Sequence, residues 1–377
     1  MSAHPQTQCA FVHRLPREIR NAIYLELWRS CGLRQHILWH SDEADRHFCR
    51  WPCAMEYEVQ DELQRDIEEL RSQLEVPLGQ ELRPDRHEKI RLYCRRLQSP
   101  WMNHWPCGER AEKEHGLAAI RSPSTATIIC WRKNRESERN RPWSSAYIPM
   151  LLSCKLISAE CLQSIYESTT FIFTDFPALQ MFFGYCELHP VVKTWPKLGI
   201  TPPAFFKYAR SLELSLSPDF PKLLMCANFD LPGIERRHDV YDFHWLRLDQ
   251  FQNLQRVNIW IAARSVSCRI DSDNNFFGIK QFGVEGLRGV LAPFGHIKSV
   301  TLSTPLGPSI RPQEGNVEGV APPGFRLYKR GSGDRFHPFL NLIQPGPGYL
   351  NGVIFTSPSM EVRLAQNGGN HDLMEEV

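Results

Sequence analysis

The strongest constraint on the fold is a pattern that occurs three times in the second half of the chain. In each copy an aromatic residue precedes an aliphatic residue by three positions, a polar pair follows, and a strand-like alternation begins. The copies start at Phe206, Phe251 and Phe294, and their strands begin around Leu212, Val257 and Val300. The spacings of 45 and 43 residues are typical of stacked supersecondary units.

This repetition predicts an irregular α/β stack in which each strand relies on its neighbour for burial. Leu212, Leu214 and Leu216 should face the core, and Glu213 and Ser215 should lie on the other side of the strand. Phe171 with Phe173 would start the series with a poorer fit. The alternative is an ordinary α/β domain whose strands share these spacings by coincidence.

The amino-terminal segment from Leu15 to Trp28 is predicted to be a helix. Pro16 suits a first helical turn, and Glu18 complements the positive end of the helix dipole. Apolar residues follow helical spacing and cover more than one stripe of the surface. Because its apolar coverage is so wide, this helix should make contacts on two sides.

Residues 41–145 read as a charged, partly helical insertion. Within it, positions 55–74 and 85–97 have helical apolar spacing, and the remainder to about Ser145 is expected to be loop. Order returns with a helix that runs to Tyr166, a strand over 169–173, and a helix opened by Asp175 and Pro177. The predicted segments are therefore 11–40, 41–145, 146–303, and a Pro/Gly-rich 304–377 whose acidic end should be mobile.

Charge and composition narrow the classes of partner. Lys and Arg total 44 against 42 Asp and Glu, so no global field favours nucleic acid or an anionic membrane. The amino terminus lacks a secretory pattern, no apolar run is long enough to span a bilayer, and twelve scattered cysteines suggest reduced thiols. We therefore expect a cytoplasmic or nuclear protein that binds neither nucleic acid nor membrane.

Two motifs together resemble the F-box-like proteins of filamentous fungi, which carry an uncharacterised α/β domain. The first comprises Leu15-Pro16, Glu18-Ile19, Ile23-Tyr24 and Leu27. The second comprises Leu151 to Lys155 with Glu160, Tyr166, Phe171 and Phe173.

The resemblance implies a protein-binding role. F-box proteins dock a Skp-type adaptor through this amino-terminal region and present a substrate protein to a cullin ubiquitin ligase. It would place adaptor-binding residues at Leu15, Pro16, Ile19, Ile23 and Tyr24, as a helix that docks in a groove. The alternative is that these side chains pack against the helix near 151–165 inside the protein, leaving a structural or regulatory interaction protein that docks no adaptor.

The chain offers little sign of catalysis. It has no nucleophile elbow, P-loop, zincin or dinucleotide fingerprint. Asp271 to Asn275 begins like a calcium loop but has Phe276 at the obligatory glycine position. The polar residues at 238–244 lack a nucleophile, and the basic stretch 132–141 is diluted by acidic residues. We assign no catalytic residue and no cofactor, and an undetected hydrolase or metal-dependent enzyme remains a remote alternative.

One cluster of metal-type residues stands out. A repeated Trp-Pro-Cys tripeptide falls within a set that would suit a structural zinc site, namely His47, Cys49, Cys53, His104 and Cys107. The Cys-x-x-x-Cys spacing is looser than that of paired zinc knuckles, and this favours unligated cysteines and histidines.

The predicted class is α+β or irregular α/β, with an F-box-like helical element followed by helix and strand units that resemble a short leucine-rich-repeat stack.

Overall fold

The fold is taken from a computed structural model of the chain. It describes residues 10–42, 45–55, 99–120, 146–187, 195–216, 246–261, 291–304 and 325–329, together with positions 73, 88 and 243. The helices predicted at 55–74 and 85–97 lie almost entirely outside these residues. So do the basic stretch, the calcium-like loop, the polar residues at 238–244 and the chain beyond 329.

The described part of the chain contains seven α-helices and nine β-strands. The helices are α1 Ala10–Arg14, α2 Arg17–Cys31, α3 Trp105–His115, α4 Tyr147–Leu151, α5 Lys155–Ser168, α6 Phe176–Phe183 and α7 Pro203–Tyr208. The strands are β1 Arg34–Asp42, β2 Asp45–Pro52, β3 Thr170–Phe173, β4 Gly184–Glu187, β5 Trp195–Leu198, β6 Ser211–Leu216, β7 Arg256–Ile261, β8 Ser299–Thr304 and β9 Phe325–Lys329. Short 3₁₀ turns occur at 102–104, 117–120, 248–250 and 292–294.

Seven of the strands form one mixed sheet in the order β2-β1-β3-β6-β7-β8-β9. Only β2, at the edge, is antiparallel to its neighbour; the other five pairings are parallel. β4 and β5 form a separate antiparallel pair. β1 lies between β2 and β3, and from β3 onward each strand of this sheet lies beside the next one of the sheet in chain order.

The predicted alignment of the three repeated segments is the observed register. Leu212 lies opposite Val257, and Val257 lies opposite Val300. Phe171 lies opposite Leu212, so β3 continues the series on the other side. Two of the aromatic residues that precede the strands are also in edge-to-face contact, with the Phe206 and Phe251 ring centroids 5.0 Å apart. The strands predicted at 169–173 and in the three copies are therefore confirmed.

The main core lies on one face of this sheet. As predicted, Leu212, Leu214 and Leu216 belong to it, together with the equivalent aliphatic residues of β7 and β8. Helix α6 adds Leu179, and its Asp175 and Pro177 stand at the predicted helix start. The opposite face is also buried: the side chains of Glu213, Ser215, Asn258 and Thr301 on it are almost completely inaccessible.

The amino-terminal helices form a second packing unit. Helix α2 begins at Arg17, one residue after Pro16, and ends before Gly32, whose φ of +87° suits glycine. Tyr24 and Trp28 on α2 pack against α4 and α5, and the Trp28 ring stacks on Tyr147 at 5.0 Å. The first motif and the second motif of the sequence are thus in direct contact.

Two expectations for the region after residue 40 are wrong. Residues 45–52 form a strand of the main sheet, and residues 105–115, expected to be loop, form helix α3. Strands from all four predicted segments enter the same sheet, including β1 from the first segment and β9 from the fourth.

The helices and mixed sheet give an α+β arrangement. Among the described residues, no helix has both the length and the apolar character needed to cross a membrane.

Candidate functional site

The five residues predicted to bind a partner lie on two sides of the amino-terminal helices. Ile19 and Ile23, one turn apart on α2, are 48% and 37% exposed, and Pro16 is also exposed. Leu15 is half-buried, whereas Tyr24 is completely buried. Ile19 and Ile23 therefore form an exposed isoleucine face, and Tyr24 holds the helix in place from the other side.

A buried ion pair fixes α2 against α5. The guanidinium of Arg20 donates to both carboxylate oxygens of Glu160, at 2.9 and 2.7 Å. The Tyr24 hydroxyl donates to the same carboxylate at 3.0 Å, and Trp28 Nε1 donates to Ser164 at 3.0 Å. Because such a bidentate pair has a defined geometry, it sets how the exposed isoleucine face is presented.

The charge state of Glu160 is determined by these contacts. Its hydrogen bonds from Arg20, and then from Tyr24, hold the pKa of the Glu160 carboxyl below its ordinary value despite burial. Burial and the hydrogen bond to Glu160 raise the pKa of Tyr24 above its usual range. At neutral pH the contact is therefore an ionised carboxylate held by the guanidiniums of Arg20 and Arg17 and by the Tyr24 phenol.

A second candidate site is a compact group of two cysteines and two histidines. One possible ligand atom from each of His36, Cys53, His104 and Cys107 lies within 4.8 Å of the others. Cys53 Sγ is 3.7 Å from Cys107 Sγ and 3.5 Å from His104 Nδ1. We refer to these four residues as the Cys/His cluster.

The cluster forms where segment 99–120 packs on the face of the sheet opposite the main core. His36 lies on β1 and Cys53 directly follows β2, while His104 and Cys107 lie in the 3₁₀ turn and the first turn of α3. The backbone N–H of Cys53 donates to the Arg34 carbonyl at 2.9 Å, which extends the β1–β2 hairpin by one residue. The hairpin thus brings Cys53 next to His36.

A buried carboxylate orients one of the histidines. His104 Nε2 is 2.7 Å from Glu213 Oε1, and both side chains are fully buried. The other oxygen of Glu213 accepts a hydrogen bond from Arg34 at 2.7 Å. The contact with Glu213 on Nε2 directs the Nδ1 edge of the His104 ring toward Cys53.

His36 is buried in an unusual setting. Neither ring nitrogen makes a hydrogen bond of normal geometry within the described part of the chain, and Cys53 is the polar side chain that interacts with the ring. Its ring contacts His104 at 4.7 Å and Trp101 at 5.1 Å, both nearly edge to face. Burial lowers the pKa of His36 to about 4, so the imidazole is neutral at physiological pH.

Hydrogen bonding with Cys107 and with His104 holds the pKa of the Cys53 thiol below its ordinary value.

The structure assembles part of the metal-type set that the sequence indicated. Cys53, His104 and Cys107 come together, but Cys49 is buried within β2 opposite Leu38, and His47 stacks on His40 at 5.3 Å. His36 takes the fourth position. Its only sequence signal is a histidine that precedes the apolar run Ile-Leu-Trp, and recognising it requires the hairpin register.

Tryptophans from both copies of Trp-Pro-Cys pack around the cluster. Trp51, Trp101 and Trp105 are almost fully buried in one hydrophobic group with Cys107. Gly108 allows this packing, because a Cβ there would lie 2.8 Å from the Trp101 ring. Segment 99–120 is therefore packed closely against this face of the sheet.

A basic pocket lies at the amino ends of the parallel strands, with a volume of about 400 Å³. Its lining contains four cationic and no acidic residues, and consists of Arg34, Thr170, Ser211, Gln255, Arg256, Asn258, Lys298, Ser299 and Arg326. Such a lining attracts anionic groups.

Comparisons of the chain with protein-family models, with curated proteins and with solved structures found no match. Any functional conclusion therefore depends on the geometry of these sites and on the sequence motifs.

Proposed function

We propose that this protein is a protein-binding module that docks a Skp-type adaptor through α2, in the manner of an F-box substrate-recognition subunit of a cullin ubiquitin ligase. The observation that carries the proposal is the exposed isoleucine face. Two isoleucines one turn apart on a firmly held helix are the kind of apolar side chains with which a helix binds in the hydrophobic groove of a partner. Pro16 and Leu15 extend this face to the start of the helix.

The distribution of exposed apolar residues supports a binding role for this unit. Among the described residues, seven large hydrophobic side chains are exposed, and five of them belong to α2 and the α4–α5 region. They are Ile19, Ile23, Ile148, Leu152 and Leu156. Such a concentration of apolar surface on one packing unit is typical of protein interaction sites.

The second half of the chain would present another partner. We interpret the sheet as a short stack of repeated units, because Leu212, Val257 and Val300 occupy equivalent positions in neighbouring strands. Stacked units build extended binding surfaces. The basic pocket at the strand ends would favour a partner segment rich in carboxylates or phosphates.

The rival function is an interaction protein of the same fold that docks no adaptor. It is favoured by the burial of Tyr24 and Trp28, which shows that one face of α2 is part of the protein's own core. Under this alternative the exposed isoleucine face would have no adaptor partner. The two functions differ in one measurable property, which is adaptor binding.

The test is co-purification of the full chain with a recombinant Skp-type adaptor. We expect the wild type to bind, and Ile19→Asp and Ile23→Asp to lose most of the binding. Ile200→Asp is the matched control, because Ile200 is 57% exposed but lies outside the amino-terminal helices. Adaptor docking would be excluded if the wild type did not bind. It would also be excluded if Ile19→Asp and Ile23→Asp bound as well as the wild type and the Ile200→Asp control.

A further inference from the structure

We propose that the Cys/His cluster is a structural zinc site with Cys53 and Cys107 as thiolate ligands and His36 and His104 as imidazole ligands. This inference is independent of adaptor docking, because the cluster lies on a face of the sheet and involves no residue of the exposed isoleucine face. The proposed zinc ion would also link segment 99–120 to the β1–β2 hairpin of the sheet.

The interatomic distances fit a tetrahedral zinc ion. Zinc binds sulfur at about 2.3 Å and imidazole nitrogen at about 2.0 Å, so ligand atoms at tetrahedral angles lie about 3.8 Å apart for two sulfurs and about 3.5 Å apart for sulfur and nitrogen. The corresponding separations are 3.7 Å between Cys53 and Cys107 and 3.5 Å between Cys53 and His104. Two of the six ligand pairs therefore have the separations of a zinc coordination shell, and all four ligand atoms lie within 4.8 Å of one another.

The surroundings of the cluster match a metal site in two further respects. The Glu213 carboxylate holds His104 so that Nδ1 faces the cluster, which is the usual outer contact of a zinc-bound histidine. His36 is fully buried, and neither of its ring nitrogens makes a hydrogen bond of normal geometry among the described residues. A bound cation would satisfy one of these nitrogens, and buried polar atoms normally have such a partner.

The ligand count indicates a structural role. Four protein ligands complete the tetrahedral shell, whereas catalytic zinc sites keep one position open for water or substrate. Three of the four ligands are fully or almost fully buried, and Cys53 is half-buried. Binding forms two Zn–S and two Zn–N bonds without a change in oxidation state, and any proton remaining on either sulfur leaves to solvent.

The main rival is a disulfide between Cys53 and Cys107. Their sulfur atoms are 3.7 Å apart, well beyond the roughly 2.05 Å of a bonded pair, so the two residues are not joined by a disulfide in the structure. A disulfide would also leave His36 and the oriented Nδ1 of His104 without a role. The zinc site explains all four residues.

The test is the metal content and the ligand shell of the full chain, purified under reducing conditions without a chelator. Elemental mass spectrometry should find one zinc per chain in the wild type and almost none in Cys53→Ser and Cys107→Ser. Cys49→Ser is the matched control, because Cys49 is a buried cysteine in the same hairpin that lies outside the cluster. This control should keep its zinc.

X-ray absorption on the wild type tests the ligand shell without relying on the variants to fold. We expect two sulfurs at about 2.3 Å and two nitrogens at about 2.0 Å from zinc. The proposal is overturned by a zinc content near zero in folded, reduced protein, by a different shell, or by a Cys53–Cys107 disulfide in the freshly purified chain.

Discussion

Glu213 is the residue whose environment is most unusual. It is a fully buried carboxylate in the middle of a sheet, and it contacts His104 on one oxygen and Arg34 on the other. Because a carboxylate behind a zinc-bound histidine orients the ring and raises its basicity, we regard Glu213 as a positioning residue for the proposed zinc site. Its alternation with the apolar residues of β6 is visible in the sequence, but its burial is not.

Replacing Glu213 by Gln should weaken zinc binding by about 10- to 100-fold, because the amide keeps the shape of the side chain but loses the charge. The measurement is competition for zinc with a chromophoric chelator, after circular dichroism shows that the variant is folded. Glu114→Gln, which alters an exposed pair with Arg110, is the control and should leave the affinity unchanged. Equal affinity in both variants would remove Glu213 from the site.

A second residue-scale prediction concerns Asp175. Its side chain is buried, accepts a hydrogen bond from the backbone N–H of Trp39 at 3.0 Å, and has a pKa raised by burial to about 7. An unfolded aspartate titrates near pH 3.9. The folded state therefore holds the proton more tightly, and stability should fall as the pH rises from about 4 to 7 and then level off.

Comparison with Asp175→Asn isolates this effect, since every other group titrates in both proteins. The free energy of unfolding of the wild type, relative to the variant, should decrease between pH 4 and pH 7 by on the order of 4 kcal/mol, at about 1.4 kcal/mol per pKa unit. Urea unfolding at several pH values measures it. Parallel pH profiles for the two proteins would contradict the prediction.

At the scale of elements, the sequence predicts those strands and helices whose apolar pattern is regular. Strands β3, β6, β7 and β8 and the register between them follow from the repeated pattern. β1 and β2 are missed because buried polar residues such as Gln35, His36 and His40 interrupt the alternation. The pattern of α2 predicts a helix in contact on two sides, but only the structure shows that Tyr24 faces the core and Ile23 faces solvent.

The α2–α5 contact yields the next prediction. Glu160→Gln should destabilise the protein by about 3 kcal/mol, because Arg20 would remain buried without its counterion. Urea unfolding at pH 7 measures the loss. Glu26→Gln alters only the exposed pair with Arg29, and its effect should be below about 1 kcal/mol.

The pH dependence of this contact provides a further check. The folded pKa of Glu160 lies below its ordinary value, so the ion pair stabilises the protein above about pH 4.3, the value for unfolded glutamate. This contribution is lost as the pH falls through the lower folded pKa. The difference in unfolding free energy between the wild type and Glu160→Gln should therefore shrink in acid, and a constant difference would contradict the assignment.

At the scale of the whole molecule, the candidate metal site is only partly readable from sequence. Cys53, His104 and Cys107 are apparent from the repeated Trp-Pro-Cys tripeptide. His36 lies 17 residues before Cys53, and no ligand spacing links the two. Their proximity comes from the β1–β2 hairpin, and the approach of His104 comes from the docking of segment 99–120 on β6. These are tertiary contacts that a local pattern does not encode.

The proposed zinc also makes a prediction for the molecule as a whole. Segment 99–120 packs on the sheet face opposite the main core through the cluster, the Glu213 contact, and a hydrogen bond between Ser215 and Asn103 at 2.6 Å. Removing zinc should therefore loosen this segment and the β1–β2 hairpin more than the central strands. A ligand present at 1,000 times its dissociation constant stabilises the folded state by about 4 kcal/mol, so chelation should clearly lower the melting temperature.

Hydrogen exchange with and without a strong zinc chelator measures where the structure loosens. Amides of segment 99–120 and of β1 should lose protection, while amides of β7 and β8 should change little. Readdition of Zn²⁺, but not of Mg²⁺, should restore the protection, because thiolate and imidazole ligands disfavour magnesium. Cys107→Ser is the matched control, since a chain that holds no zinc should not respond to the chelator. Uniform loss of protection across the sheet, or none at all, would show that the cluster does not anchor this segment.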